Sequence, residues 1–285
     1  MRPRIGITTG DPAGIGPEII AAALGSGKLP ADVDYEIIGL TNGFSLGEPT
    51  RESAQAARDA LEEAARRALA GELAAIVTGP IHKARIYEIG FDFPGQTEFF
   101  AARCRVKNFA MALTSPSLTI ALVTCHLPLA EAIRKLTSAE IVRVGKLLAP
   151  FVASRAGSRI AVAGLNPHAG ESGALGREEI EIVAPAIAEL NRGDSSGKFA
   201  GPFSPDTVFN RAIAGEFDAV LCLYHDQGLI PFKLHAFHDG VNVTLGLPFP
   251  RTSPDHGTAF EIAGKKIAQP GSMIAAINLA AGLIR

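Results

Sequence analysis

The sequence predicts an α/β fold with a largely parallel sheet. Apolar runs of strand length alternate with stretches of helical periodicity along most of the chain. The runs end in Gly, Pro or polar residues, and no internal repeat or low-complexity tail interrupts the alternation. With 285 residues, 47% of them apolar and 20% charged, the chain can bury one large core or two smaller ones.

Arg4–Thr8 reads as a buried strand, followed by a Gly-rich turn and a helix near Pro17, where Pro suits the first helical position. Tyr35–Leu40 is a second short strand. Thr50–Ala70 is an amphipathic helix with Arg and Glu on one face, stopped by Gly71. Ala74–Thr78 is a strand ending in Gly79-Pro80. Phe109–Leu113 and Leu118–Thr124 form a hairpin around Ser115-Pro116. Thr137 and Glu140 make a capping box that opens a helix over Ser138–Ala156. Arg159–Leu165 is a strand, followed by a polar loop and a helix over Arg177–Leu190. Gly193–Gly201 is the most loop-like stretch. Asp206–Gly215 reads as a helix, Asp218–Tyr224 and Val241–Leu245 as strands, and Gly271–Ile284 as the last helix. No linker splits the chain. Two lobes would exchange near Cys125 and Leu234, giving lobe one about 1–125 plus 235–285 and lobe two about 126–234.

The net charge of −2, from 27 Lys+Arg against 29 Asp+Glu, and the absence of Trp argue against nucleic acid as a partner. No apolar run approaches the roughly 18–20 residues of a membrane span. Met1–Gly10 reads as a strand rather than a signal peptide. Cys104, Cys125 and Cys222 fit neither a disulfide framework nor a CxxC knuckle, so a reducing, cytoplasmic location is expected.

Chemistry concentrates just after strand ends, where open α/β sheets place their sites. Three apolar runs each lead into a histidine: Leu122–His126, Val162–His168 and Val220–His225. Three imidazoles from strand ends can hold one divalent ion and leave positions open for substrate. The alternative is three separate hydrogen-bonded histidines. Asp226 is either a partner that orients an imidazole or a helix N-cap. The loop Gly10–Glu18 lacks the Lys of a phosphate loop and the GxGxxG order, so it reads as a tight strand-to-helix turn. Lys83, Lys233 and Arg251 are candidate anion contacts, or else solvated surface cations. Arg251 lies in the Pro248–Ser253 run, which is not expected to be regular structure. Glu131, Glu140, Glu178, Glu179 and Glu181 fall on helix faces and read as solvated. No GxSxG or HExxH is present.

Taken together, Gly10–Ile19, Val77–Lys83, Pro94–Phe100, Thr124–Leu129, Gly164–Glu171, Tyr224–Lys233 and Gly240–Gly264 resemble the 4-hydroxythreonine-4-phosphate dehydrogenase family of vitamin B6 biosynthesis. The resemblance implies an isocitrate-dehydrogenase-like fold of two α/β/α lobes with a cleft. It also implies a homodimer with a shared active site. The implied activity is NAD- or NADP-linked oxidation of a phosphorylated hydroxy acid such as 4-phosphohydroxy-L-threonine, with decarboxylation of the keto product. The implied metal ligands are His126, His168 and His225, one of them from the partner subunit, holding zinc, cobalt, manganese or magnesium. Gln96, Thr97, Lys233, Asn242 and Arg251 match substrate contacts, and Lys233 and Asp206 are the catalytic candidates. The run carrying His256, Gly257, Thr258, Ala259 and Glu261 matches the adenosine-side loop of metal-dependent hydroxy-acid dehydrogenases. Two departures stand out. Gln96 replaces the family's His, and only Thr41–Ser53 remain of a longer excursion. Competing readings are a dehydrogenase of phosphothreonate, phosphoerythronate or a cis-dihydrodiol, a non-redox metal-dependent lyase, and a divergent paralogue that binds a phosphorylated metabolite.

Overall fold

The computed structural model describes residues 2–192 and 197–284. Its elements are β1 (Arg4–Thr8), α1 (Gly16–Leu24), β2 (Asp34–Ile38), α2 (Arg51–Leu69), β3 (Ala75–Thr78), α3 (Lys83–Tyr87) and α4 (Gln96–Arg103). There follow β4 (Ala110–Thr114), β5 (Thr119–Leu122), α5 (Leu129–Lys135), α6 (Ser138–Ala153), β6 (Arg159–Ala163), α7 (Ala184–Arg192), β7 (Lys198–Phe203), α8 (Val208–Ile213), β8 (Ala219–Cys222) and α9 (His225–His235). The chain ends with β9 (Val241–Leu245), β10 (Arg251–Pro254) and α10 (Gly271–Leu283). Two compact units result. One comprises residues 1–107 and 238–285, the other 108–237.

In the first unit the strand order is β2-β1-β3-β10-β9, parallel except for the antiparallel pair β10/β9. Helix α2 buries Ala57, Leu61, Ala64 and Ala68, the small-residue stripe that its 3.6-residue period creates. Leu61 and Ala64 join Ile76, Phe99 and Phe100 in one core cluster. Helix α10 covers β10 and β9, and its Ala276 carbonyl accepts from Thr252 Oγ1 at 2.8 Å.

In the second unit the order is β4-β5-β8-β6-β7, parallel except for the hairpin β4/β5. Alternate residues point to opposite faces. Ile120, Leu122, Val220 and Cys222 therefore join α8 and α9 in one core cluster. Gly228 of α9 is where that helix meets the sheet, because a Cβ there would stand 2.9 Å from Ile120 and Leu122 side-chain atoms.

The hairpin, the helix over 51–69 and the last helix fall close to expectation. Helices α3, α4, α5 and α9 were not foreseen. Three of them span only five to eight residues, too short for a periodic signal, and α9 carries Gly228 and Pro231. The Pro248–Ser253 run, expected to be irregular, supplies β10, and its Pro250 carbonyl receives the Ile76 amide at 3.0 Å. Of the loop expected at 193–201, residues 193–196 lie outside the described residues, and the remainder runs into strand β7. Thr137 caps α6 through the Glu140 amide, one half of the expected box.

Candidate functional site

Strands β5 and β8 are parallel neighbours, so the loops that leave them run side by side. Val123 N donates to Cys222 O at 2.8 Å, and Thr124 Oγ1 donates to Leu223 O at 2.8 Å. These bonds bring His126 and His225 together, with ring centroids 5.5 Å apart and the rings tilted by 44°. His126 sits at φ 49°, a left-handed conformation that turns the chain sharply after the strand. His225 opens α9, and its Nδ1–H donates to Asp226 Oδ1 at 2.6 Å. Tyr224 is the N-cap, so of the two roles read for Asp226 the structure has the imidazole partner. The bond fixes the ring's tautomer and leaves Nε2 as the donor atom. Both histidines line a cavity of about 190 Å³ with Thr124, Leu127, Tyr224 and Asp226.

His168 follows β6, the next strand after β8. It lies on an exposed turn in which residues 168–172 all have positive φ. The turn hangs on Glu179, which is 3% exposed. Its Oε1 accepts from the Leu165 and Asn166 amides at 2.7 Å each, and its Oε2 accepts from Asn166 Nδ2 at 3.0 Å. Expected as a solvated acid, Glu179 is instead the anchor of this loop. Gln227 ties the β6 and β8 loops together, accepting from Leu223 N and donating to Gly164 O, both at 2.6 Å. Among the described residues no group of three or more His, Cys, Asp or Glu is placed to hold a metal within one chain. Two imidazoles converge and His168 stands apart. The convergent pair fits a divalent ion in its donor type and in the free Nε2 of His225.

The first unit holds a buried cation. Arg251 is 3% exposed. It donates from Nη2 to Thr78 Oγ1 at 2.5 Å and Gln96 Oε1 at 2.9 Å, and from Nη1 to Thr244 Oγ1 at 3.3 Å. All three acceptors are neutral, and Nε is buried without a partner. Burial pushes its pKa down to about 10, partly offset by the negative charge of Glu98. A desolvated cation among hydroxyls is a receptor for an anion. Gln96 is held at both ends, since its Nε2 donates to Gly79 O at 3.0 Å. Thr97 Oγ1 lies 3.3 Å from Thr244 Oγ1. Asn242 shares a strand face with Thr244, and its Oδ1 is buried and unpartnered. Four of the residues matched to substrate contacts thus belong to one neighbourhood. Lys233 is exposed near the end of α9, about 12 Å along the helix from His225 at 1.5 Å per residue. Asp206 is exposed before α8, where it accepts from Ser204 Oγ at 2.6 Å.

The Gly10–Glu18 turn is tied to the later run that carries Thr258. Ile15 N donates to Thr258 O at 2.9 Å, and Gly264 N donates to Glu18 Oε2 at 3.1 Å. A Cβ on Gly14 would stand 2.8 Å from Thr258 O, so the approach requires glycine. His256 holds its own loop through Gly257 O, with Nε2 buried and unpartnered, and Ala259 adopts φ 43°. Gly257 has open space around it, and Glu261 is exposed. Asp11 and His82 were not singled out from sequence. Burial raises the Asp11 pKa, and His82 packs edge-on against Phe260 at 5.1 Å. Their neighbourhood in the GDPAGIG and VTGPIHK stretches was the available signal.

The fold is similar to that of a solved β-decarboxylating dehydrogenase. The structure from Thermococcus kodakarensis superposes with a TM-score of 0.55 at 18% identity over 98% of this chain and 82% of that one, a likeness of fold. The model of the pyridoxal phosphate biosynthetic protein PdxA matches residues 19–280, and the chain belongs to that family. It is 41% identical to the 4-hydroxythreonine-4-phosphate dehydrogenase of Desulforapulum autotrophicum, over 98% of this chain and 95% of the relative. It is 35% identical, with a TM-score of 0.82, to the crystal structure of the Klebsiella pneumoniae 4-hydroxythreonine-4-phosphate dehydrogenase, covering 99% and 100% of the two chains. The first alignment runs to 326 positions against 285 residues here, so that relative carries segments this chain lacks. No described helix is long and apolar enough to cross a membrane.

Proposed function

We propose that this chain is a metal-dependent, NAD-linked dehydrogenase that oxidises 4-phosphohydroxy-L-threonine, with decarboxylation of the keto product. The His126–His225 pair carries the reading. Two imidazoles converge at the ends of neighbouring parallel strands, one of them oriented by Asp226. With His168 they would hold zinc, cobalt, manganese or magnesium, and that ion supplies the charge that lowers the pKa of a bound substrate hydroxyl.

The chain's own residues account for recognition. Arg251 binds the substrate phosphate, since a buried guanidinium with only neutral partners gains most from an anion. Thr97 and Asn242 position the substrate. Lys233 anchors it or carries the proton, and Asp206 is the second candidate for that proton. The loop from His256 to Glu261, held by the Gly10–Glu18 turn, receives the adenosine end of NAD or NADP.

The working unit on this reading is a homodimer in which one of the three histidines comes from the partner subunit. Helix α9 supports this. Ile230 and Leu234 recur at i and i+4, yet they are 66% and 87% exposed, and Phe237 just past the helix end is 65% exposed. A stripe of that size suits a second copy.

His126→Ala tests the proposal. The variant keeps its melting transition and loses bound metal and NADH formation together. Full turnover by metal-free wild-type protein would contradict it.

A further inference from the structure

The second unit has a further polar cavity at the opposite end of its strands. Ser115–Thr119 enter β5, and Phe217 and Asp218 enter β8. They lie at the opposite strand ends from His126 and His225. Together with the end of α6 they border an open cavity of about 440 Å³.

Its cation is Arg155, just past α6. Arg155 Nη1 donates to the hydroxyl of Thr114 and, at 3.0 Å, to that of Thr119. The guanidinium carbon lies 5.6 Å from the Phe151 ring. No carboxylate among the described residues pairs with it. Burial of the guanidinium lowers its pKa, although the residue as a whole is exposed.

The acid in the lining, Asp218, is already engaged. Its Oδ2 accepts from the Ser158 and Arg159 amides at 2.9 and 2.8 Å, and the Arg159 guanidinium closes on Oδ1 at 3.0 Å. These bonds bring its pKa down to about 2. The charge of Asp218 is met by Arg159, and that of Arg155 is left over. Hydroxyls complete the surface. Ser115 Oγ accepts from Leu118 N at 3.1 Å, and Ser117 Oγ lies 2.8 Å from His235 Nε2.

We propose that this cavity is a second anion site, separate from the one at Arg251, and that it takes the phosphate of a small phosphorylated metabolite. Arg155 with the Ser117 and Thr119 hydroxyls receives the phosphate by charge-assisted bonds. Phe217 and Ile213 offer the apolar wall for a carbon skeleton. The volume falls in the range of small-ligand pockets and exceeds what an inorganic ion fills.

The test is calorimetric titration of the full chain with inorganic phosphate and with glycerol 3-phosphate. Arg155→Gln removes the cation. Ile213→Trp fills the cavity from its rim, where Ile213 is 37% exposed. Each folded variant is expected to bind one equivalent fewer per chain than the wild type, with the turnover rate unchanged. Glycerol 3-phosphate is expected to bind this site at least about 10-fold more tightly than inorganic phosphate, a ratio worth roughly 1.4 kcal/mol. Wild-type stoichiometry in either folded variant overturns the site. Equal affinity for the two probes overturns the assignment to an organic phosphate.

Discussion

Arg251 Nη2 donates to Gln96 Oε1 at 2.9 Å, and the amide's other end is fixed on the Gly79 carbonyl. Gln96 thus accepts from the buried cation that the proposed function gives to the substrate phosphate, and it adds no charge of its own. Gln96→His installs a titratable group there, with an ordinary pKa of about 6.5 that a neighbouring guanidinium pulls lower. The variant's KM for a phosphorylated substrate is expected to rise several-fold relative to wild type as pH increases from about 5.5 to 8. Comparing the two KM profiles cancels the titration of the phosphate itself. Parallel profiles would remove Gln96 from the substrate site.

On the proposed function, Asp226 would act on the metal through its bond to His225. Asp226→Asn keeps a side chain of the same size but weakens the acceptor for Nδ1–H. Metal affinity is expected to fall about 10- to 100-fold, as for other partners of ligating histidines. Competition with a chromogenic chelator measures it, and an unchanged affinity would mean that the bond does not orient the ring.

Glu179→Ala leaves the Leu165 and Asn166 amides and Asn166 Nδ2 without their acceptor. A loss of about 3 kcal/mol in unfolding free energy is expected, with the 168–172 turn loosened first. Denaturant unfolding and amide exchange at 165–172 check both parts.

That residue also shows where sequence reading stopped. The strand-end positions of three histidines were legible because each follows an apolar run of strand length, a local pattern. Glu179 lies among acids with helical spacing, and only the fold brings the β6 loop onto it. Arg251 is similar. Its partners Thr78, Gln96 and Thr244 come from β3, α4 and β9, so its burial is a product of topology rather than of the Pro-rich run around it. The parallel sheet and the β4/β5 hairpin were foreseen, but the antiparallel strand β9 was not separable from the parallel ones, because a buried antiparallel strand has the same apolar run.

The Asp218–Arg159 pair sets a pH dependence of stability. Asp218 has a folded pKa of about 2, below the ordinary value of 3.8. Its stabilisation is therefore fully present above about pH 4 and is lost as pH falls towards 2. Asp218→Asn is expected to be less stable than wild type by roughly 1–2 kcal/mol near neutrality, with solvent screening included. The gap closes on acidification, and melting curves from pH 7 to 2.5 follow it. A gap that stays constant with pH would assign the effect to the backbone bonds alone.

The central claim is tested most directly by following NADH formation from 4-phosphohydroxy-L-threonine with metal-supplemented protein, with and without chelator. Phosphothreonate, phosphoerythronate and a cis-dihydrodiol carboxylate run alongside. The account predicts chelator-sensitive turnover of the first compound in preference to the others. Turnover that survives complete metal removal, or none of that compound while metal and NAD still bind, would contradict it.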